Sequence, residues 1–159
     1  MRRSREFWRV LQPFKNTSPT SFNDPTWQTR NSLKSTQQVT KFLDQVGCDE
    51  AVDEFLQSQL RAPMATKLTP YILSLIDWKQ IKTDPIRKQF LPLSSDYKKD
   101  HPMVQFDSLN EQESSPVKGL VHRYPDKCLF LPLSVCPVYC RFCTRSYAIG
   151  TNMDRYKYL

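Results

Sequence analysis

The sequence predicts an α/β fold in which a helical region is followed by a single strand and a cysteine-rich loop. Apolar residues recur at helical spacing across residues 35–91, between signals that start and stop helices. The segment KCLFLPL, residues 127–133, is a short apolar run bounded by turn residues, which is typical of a buried strand. One strand alone can neither pair its backbone groups nor cover both of its faces. We therefore interpret it as the first unit of a sheet or barrel whose other units are absent, and we expect the chain to be a fragment.

The first half of the chain divides into a basic leader and a helical accessory region. Residues 1–34 contain seven basic and two acidic side chains and are rich in Ser and Thr. This composition predicts a partly disordered leader, with an organelle transit peptide as the alternative. In residues 35–91, Ser35 and Gln38 fit a capping box, and Gly47 fits the residue that ends a helix.

Further helices are predicted from their first residues. Asp49 is placed to cap the second helix of the accessory region. The buried side of that helix is predicted to consist of Val52, Phe55, Leu56 and Leu60. Thr69-Pro70 and Asp84-Pro85 each combine a capping side chain with proline at the first helical position, so a helix is expected after each.

The second half begins with a long connecting segment. Residues 92–118 are polar, interrupted by proline and without period, which predicts a loop that is functional or disordered. Residues 119–159 contain the predicted strand and the cysteine loop, and we assign them to the start of the barrel.

Composition restricts the classes of partner. No apolar run approaches the roughly 18 residues of a membrane span, so we expect a soluble, cytoplasmic protein with no membrane partner. Five cysteines, an odd number, favour a reducing compartment over a disulfide framework. With three glycines and no glycine-rich phosphate loop, any phosphate must be bound by side chains. The net charge of +7 permits nucleic acid, phosphate or carboxylate partners without choosing among them.

Three of the five cysteines lie within eight residues. Cys136, Cys140 and Cys143 form the pattern C-x3-C-x2-C, which allows one loop to hold three thiolates around one centre. Structural zinc and an all-cysteine [4Fe–4S] cluster each take four protein ligands. Three thiolates would leave one iron open to an external molecule that offers an amino group and a carboxylate, such as S-adenosylmethionine (SAM). A reduced cluster can then cleave SAM and generate a radical that abstracts hydrogen.

Zinc is the alternative metal. Cys128 or His122 would be its fourth ligand, although Cys128 falls within the predicted strand and is expected to be a small buried hydrophobic residue. Cys48, on a helical segment, is expected to be a core or a surface thiol without a role. A small basic module that binds zinc or iron–sulfur and contacts nucleic acid is the alternative function, though no RNP, zinc-finger or helix-turn-helix motif is present.

Several segments together resemble one family. CPVYCRFC resembles the radical SAM signature. The segments that are similar, in order, to the lysine 2,3-aminomutase family are WQTRNSLKS (27–35), LTPYILSLID (68–77), DPIRKQFLP (84–92), SPVKGLVHRYPDKCLFL (115–131) and CRFCTR (140–145). The resemblance extends from about residue 21 to about residue 150, and it implies a partial (β/α)6 radical SAM barrel.

The resemblance implies cofactors and site residues. Members of this family use a [4Fe–4S] cluster, SAM and pyridoxal 5'-phosphate (PLP) to move an α-amino group to the β carbon of an amino acid. The cluster ligands implied by the resemblance are Cys136, Cys140 and Cys143. Arg123 and Tyr124 match the residues that bind the PLP phosphate. Lys127 stands where members commonly have arginine, and Arg145 matches the arginine that pairs with the substrate carboxylate.

The predicted function is therefore the N-terminal part of a radical SAM, PLP-dependent aminomutase, an isomerase. The expected partners are a small-molecule amino acid and an electron donor, with a homo-oligomer at full length and no nucleic acid. No catalytic residue is assigned, because the PLP lysine and the glycine-rich SAM contacts come later in family members. We expect the chain alone to bind neither cofactor tightly and not to turn over. The amino acid stays open, and so does a regulatory role for a degenerate relative.

Overall fold

The computed structural model describes residues 6–62, 64–105, 107–133, 135–146 and 149. The chain forms two compact units, the first comprising Met1–Tyr97 with Pro137–Arg141 and the second Lys98–Cys136 with Phe142–Leu159. The α-helices are α1 Pro19–Phe22, α2 Pro25–Arg30, α3 Thr36–Gln45, α4 Val52–Gln59, α5 Pro70–Leu75 and α6 Pro85–Phe90. Short 3-10 helices span Phe7–Val10, Gln12–Phe14, Asp49–Ala51, Trp78–Gln80 and Ser94–Asp96. The strands are β1 Leu120–Tyr124 and β2 Lys127–Phe130.

Three of the four predicted helix starts are confirmed by hydrogen bonds. The Ser35 side chain accepts from the backbone N–H of Gln38, and the Gln38 side chain accepts from that of Ser35, which completes the capping box of α3. The side chains of Thr69 and Asp84 accept from the first turns of α5 and α6, each with proline at the first helical position. Gly47 follows α3 with φ of 73°, as a helix-ending glycine does.

The predicted buried side of α4 is confirmed for Phe55, and for Val52, which packs against the core, but is wrong for the other two residues. A 3-10 helix, Asp49–Ala51, precedes α4, and Asp49 does not cap it. Because a 3-10 turn has about three residues rather than 3.6, the apolar face is rotated relative to a single continuous helix. The residues buried completely are Ala51, Phe55 and Ser58. Leu56 and Leu60, predicted as core, are 42% and 87% exposed.

The basic leader contains more structure than its charge predicted. Residues 7–30 form two 3-10 helices followed by α1 and α2, whereas residues 1–5 lie outside the described part. Trp8, Phe14 and Phe22 are buried in the core, and the Trp8 ring stacks on Phe22 with centroids 4.2 Å apart. Burial of large aromatic side chains stabilises this segment. The prediction of partial disorder was based on charged and small polar residues and did not include this stabilisation.

The second unit contains a β-hairpin. β1 pairs antiparallel with β2, and Leu120 lies opposite Phe130. A strand was predicted within residues 127–133, and it ends before Pro132. It is not buried as predicted, because β2 has a single partner strand and Cys128 and Phe130 are exposed. The sheet of the described residues is two-stranded, so the barrel stays a prediction. Within the same residues, every helix is too short or too polar to traverse a lipid bilayer.

Candidate functional site

The hairpin of the second unit borders a cavity of about 270 Å³. Its lining residues are Leu109, Glu111, Val121, Arg123, Tyr124, Lys127, Cys128, Leu129 and Arg145. All four residues assigned by resemblance to the phosphate and to the carboxylate are among them. The cavity contains three cations and one carboxylate, so it carries a net positive charge and suits an anionic ligand.

The end of the hairpin presents two cations beside one aromatic ring. Tyr124 pairs with Lys127 across the turn, and the Lys127 Nζ lies 5.1 Å from the centre of the Tyr124 ring. The guanidinium carbon of Arg123 lies 6.0 Å from the same centre. Successive residues of a regular strand point to opposite faces. The pairing shifts register between Val121 and Tyr124, and such an irregularity lets neighbouring side chains line the same cavity.

Arg145 is paired with a buried carboxylate. Its Nη2 donates to Glu111 Oε1 at 2.7 Å. Glu111 is 5% exposed, and the side chain of Arg145 is 34% exposed. The Nε of Arg145 is buried and has no hydrogen-bond partner within the described residues. The guanidinium therefore retains a desolvated donor without a partner, and the exposed third of the side chain, which lines the cavity, can contact an anion.

Glu111 lies in a tight polar loop within residues 92–118, which were predicted to be a loop, whereas its contact with Arg145 was not predicted. The carboxylate oxygens of Asp107 accept from the backbone N–H groups of Glu111 at 3.1 Å and Gln112 at 2.9 Å. Asn110 adopts φ of 51°, a conformation that asparagine tolerates. Ser115 Oγ donates to the carbonyl of Glu111 at 2.9 Å. The available signal was Asp107 four residues before Glu111, since aspartate commonly bonds backbone groups shortly after it.

The three loop cysteines are half-buried, and none forms a disulfide. Cys136 and Cys143 belong to the second unit, and Cys140 belongs to the first. No group of three or more His, Cys, Asp or Glu side chains in the described residues is arranged to hold a metal ion. Three thiols in one short loop have the donor chemistry of an iron–sulfur site. The ligand assignment stays a prediction.

The segment around Cys140 is attached to the first unit by backbone hydrogen bonds. Tyr139 N–H donates to the carbonyl of Lys67 at 3.1 Å, and Arg141 N–H donates to that of Gln89 at 2.7 Å. The Arg141 guanidinium also donates to the Tyr97 hydroxyl at 3.0 Å. These bonds fix the backbone on both sides of Cys140.

The other two cysteines differ from each other. Cys48 is buried, its Sγ donates to the carbonyl of Trp78 at 3.3 Å, and burial raises the pKa of its thiol. It is a core thiol, one of the two alternatives expected. Cys128 is exposed on β2, so the prediction of a small buried hydrophobic residue is wrong. The cause is the open face of a two-stranded sheet.

Comparison with known proteins identifies related sequences. No protein-family model matches the chain. L-lysine 2,3-aminomutase of Fusobacterium nucleatum is 38% identical over 142 residues, which is 89% of this chain. The enzyme of the same name from Clostridium subterminale is 37% identical over 147 residues, 92% of this chain. The chain is homologous to the L-lysine 2,3-aminomutases.

The family resemblance predicted from the motifs is therefore confirmed. The match covers 32% of the Fusobacterium lysine 2,3-aminomutase and 34% of the Clostridium one, so the chain spans about a third of the length of these curated relatives. Glutamate 2,3-aminomutase of Clostridioides difficile is 26% identical over 142 residues.

Proposed function

We propose that the chain supplies the cluster loop and an anion-binding cavity of a radical SAM, PLP-dependent amino acid 2,3-aminomutase. One observation carries the proposal. Arg123, Tyr124, Lys127 and Arg145, which resemblance assigns to the PLP phosphate and the substrate carboxylate, line the same cavity. The homology to aminomutases supports the same role.

The roles of the side chains follow from their chemistry. A guanidinium binds phosphate or carboxylate through two parallel hydrogen bonds, so Arg123 suits the phosphate and Arg145 the carboxylate. The Tyr124 phenol adds a donor, and Lys127 adds a point charge with less directional preference than arginine. The three loop cysteines would ligate a [4Fe–4S] cluster, which supplies the electron that cleaves SAM and starts the amino migration.

The proposed substrate is an amino acid. The names of the relatives include lysine and glutamate, which share an α-amino group and an α-carboxylate. Arg145 would bind the carboxylate that both share, and therefore does not distinguish them. An electron donor and assembly into a homo-oligomer are part of the same proposal.

Iron loading of the full 159-residue chain tests the proposal. After anaerobic reconstitution with iron and sulfide, we expect brown protein with about four irons per chain. Replacing all three loop cysteines with serine should abolish the bound iron, because serine cannot supply thiolates. The matched control is Cys128→Ser, which changes a cysteine that the proposal leaves out of the cluster.

Two outcomes would contradict the proposal. One is colourless protein that holds one zinc per chain. The other is iron retained at the same stoichiometry by the triple serine variant, which would show binding outside the loop.

A further inference from the structure

The ion pair between Glu111 and Arg145 is asymmetric in burial. The Glu111 side chain is 6% exposed, and that of Arg145 is 34% exposed. Both residues line the cavity. The carboxylate is therefore the more desolvated partner of the pair, and its burial strengthens the interaction with the guanidinium.

The backbone of Glu111 is fixed independently of Arg145. The Asp107 carboxylate accepts from the N–H groups of Glu111 and Gln112, and Ser115 Oγ donates to the Glu111 carbonyl. A backbone hydrogen bond joins this loop to β1: the His122 N–H donates to the carbonyl of Ser114 at 2.8 Å. Glu111 is thus held in a preorganised loop beside the cavity.

An incoming carboxylate that took the place of Glu111 on Nη2 would have to displace a buried carboxylate whose backbone is already fixed, and would gain one contact that is partly exposed to solvent. Arg145 still has donors to offer, because the pair uses Nη2 and the side chain is 34% exposed. Five N–H donors in a rigid plane can serve two carboxylates at once.

We infer that Glu111 is the positioning residue of the carboxylate site. Glu111 binds Nη2 of Arg145 and thereby holds the guanidinium plane, so that the solvent-exposed N–H donors of Arg145 can bind a ligand carboxylate. This inference rests on the proposed function, which makes that carboxylate the α-carboxylate of an amino acid. Glu111 acts through Arg145 and does not itself contact the ligand.

The test uses acetate as the carboxylate probe and the reduced, full 159-residue chain. In ¹H–¹⁵N spectra of arginine Nε–H groups, the Arg145 signal is identified by its loss in Arg145→Lys. We expect this signal to move as acetate replaces chloride at constant ionic strength. In Glu111→Ala the signal should shift toward that of a free arginine, and the acetate Kd should rise about fivefold or more, the equivalent of about 1 kcal/mol of lost positioning.

Two matched variants separate charge from positioning. Glu111→Gln keeps an oxygen acceptor for Nη2 and should keep the acetate Kd within about twofold. Glu113→Gln removes the same charge from an exposed position in the same loop and should leave the Arg145 signal unchanged. Amide signals of β1 and β2 report whether each variant retains the fold.

Tighter acetate binding by Glu111→Ala or Glu111→Gln would overturn the inference, because it would show that Glu111 competes with the ligand. If Glu111→Ala does not fold, the Glu111→Gln result decides alone. Failure here is distinct from failure of the proposed function. A chain that loads four irons but shows no Arg145 response to acetate refutes only the positioning role. A chain that binds zinc yet responds as expected refutes only the aminomutase proposal.

Discussion

The first unit buries a continuous apolar core that runs from Trp8 to Leu93 and is rich in aromatic rings. Among the described residues of the second unit, by contrast, Val121 is the one buried hydrophobic side chain, and the carboxylate of Glu111 is buried as well. The first unit is stabilised mainly by packing, and the second by a hairpin and a polar loop. The candidate site residues lie mostly in the second unit, where few apolar side chains are buried.

The largest expected effect is in the first unit. Arg87 is fully buried, donates to the carbonyls of Ile81 and Lys82, and pairs with Asp96. Arg87→Ala would leave these acceptors unpaired, so we expect a loss of about 3 kcal/mol in the free energy of unfolding. Urea denaturation followed by tryptophan fluorescence measures it, since all three tryptophans lie in this unit.

Lys88→Ala is the control for Arg87→Ala, because it removes the same charge at an exposed position of the same helix. Its effect should stay within about 0.5 kcal/mol. Equal losses in the two variants would contradict the role given to the buried guanidinium.

Each unit contains a glycine with positive φ, so the cost of replacing glycine with alanine can be compared between the units. Gly119 has φ of 77°, and an added Cβ would lie 3.0 Å from the Leu131 carbonyl oxygen. Gly47 has φ of 73° and open space around the same position. Each alanine substitution costs about 1 kcal/mol from the left-handed backbone, and Gly119→Ala should cost about 1 kcal/mol more from the close contact. Amide hydrogen exchange in the hairpin and in α3 measures the two losses, and a larger loss at Gly47 would contradict the account.

The cavity itself is tested by weak phosphate binding. We expect millimolar concentrations of PLP to shift the amide signals of β1 and β2, and Arg123→Ala to weaken this binding about tenfold, because a charge-assisted hydrogen bond contributes about 1.5 kcal/mol. Lys127→Arg should tighten it slightly, since arginine adds fork geometry.

Lys118→Ala is the matched control for Arg123→Ala, since Lys118 is an exposed cation of the same unit and does not line the cavity. If both variants weakened PLP binding equally, the binding would depend on the overall positive charge of the unit and not on the cavity.

The smallest expected effect is a pH dependence in the first unit. A hydrogen bond from Ser95, together with the nearby Lys82 ammonium at 3.2 Å, lowers the pKa of Glu54. A carboxyl whose pKa is lower in the folded state stabilises the protein above its unfolded pKa, and this contribution disappears as the pH falls through the lowered value. Glu54→Gln should therefore lose less stability than the unchanged chain between pH 5 and about pH 3. If the free energy of unfolding fell equally with pH in Glu54→Gln and in the unchanged chain, Glu54 would not be the cause of the pH dependence.

Sequence patterns predicted the first unit better than the second. Caps such as Ser35 and Thr69 act within one turn, so their neighbours in the sequence determine them. The 3-10 helix before α4 was not predicted. It changes which side of α4 faces the core, and packing within the folded unit determines that side. The pairing of β1 with β2 and the burial of Glu111 depend on contacts between distant residues, which periodicity does not report. The site residues Arg123 and Arg145 were found through resemblance, and their shared cavity was not predicted.

Electron paramagnetic resonance of the reconstituted and reduced chain tests directly whether the loop holds a cluster with an open iron. We expect the signal of a [4Fe–4S] cluster that is held by the three loop cysteines, with one iron free of protein ligands. Replacing the other candidate donors, in Cys128→Ser and His122→Ala, should leave the iron content and the signal unchanged. Loss of the cluster in either variant would show a fourth protein ligand, and the proposal that SAM binds to an open iron would be wrong.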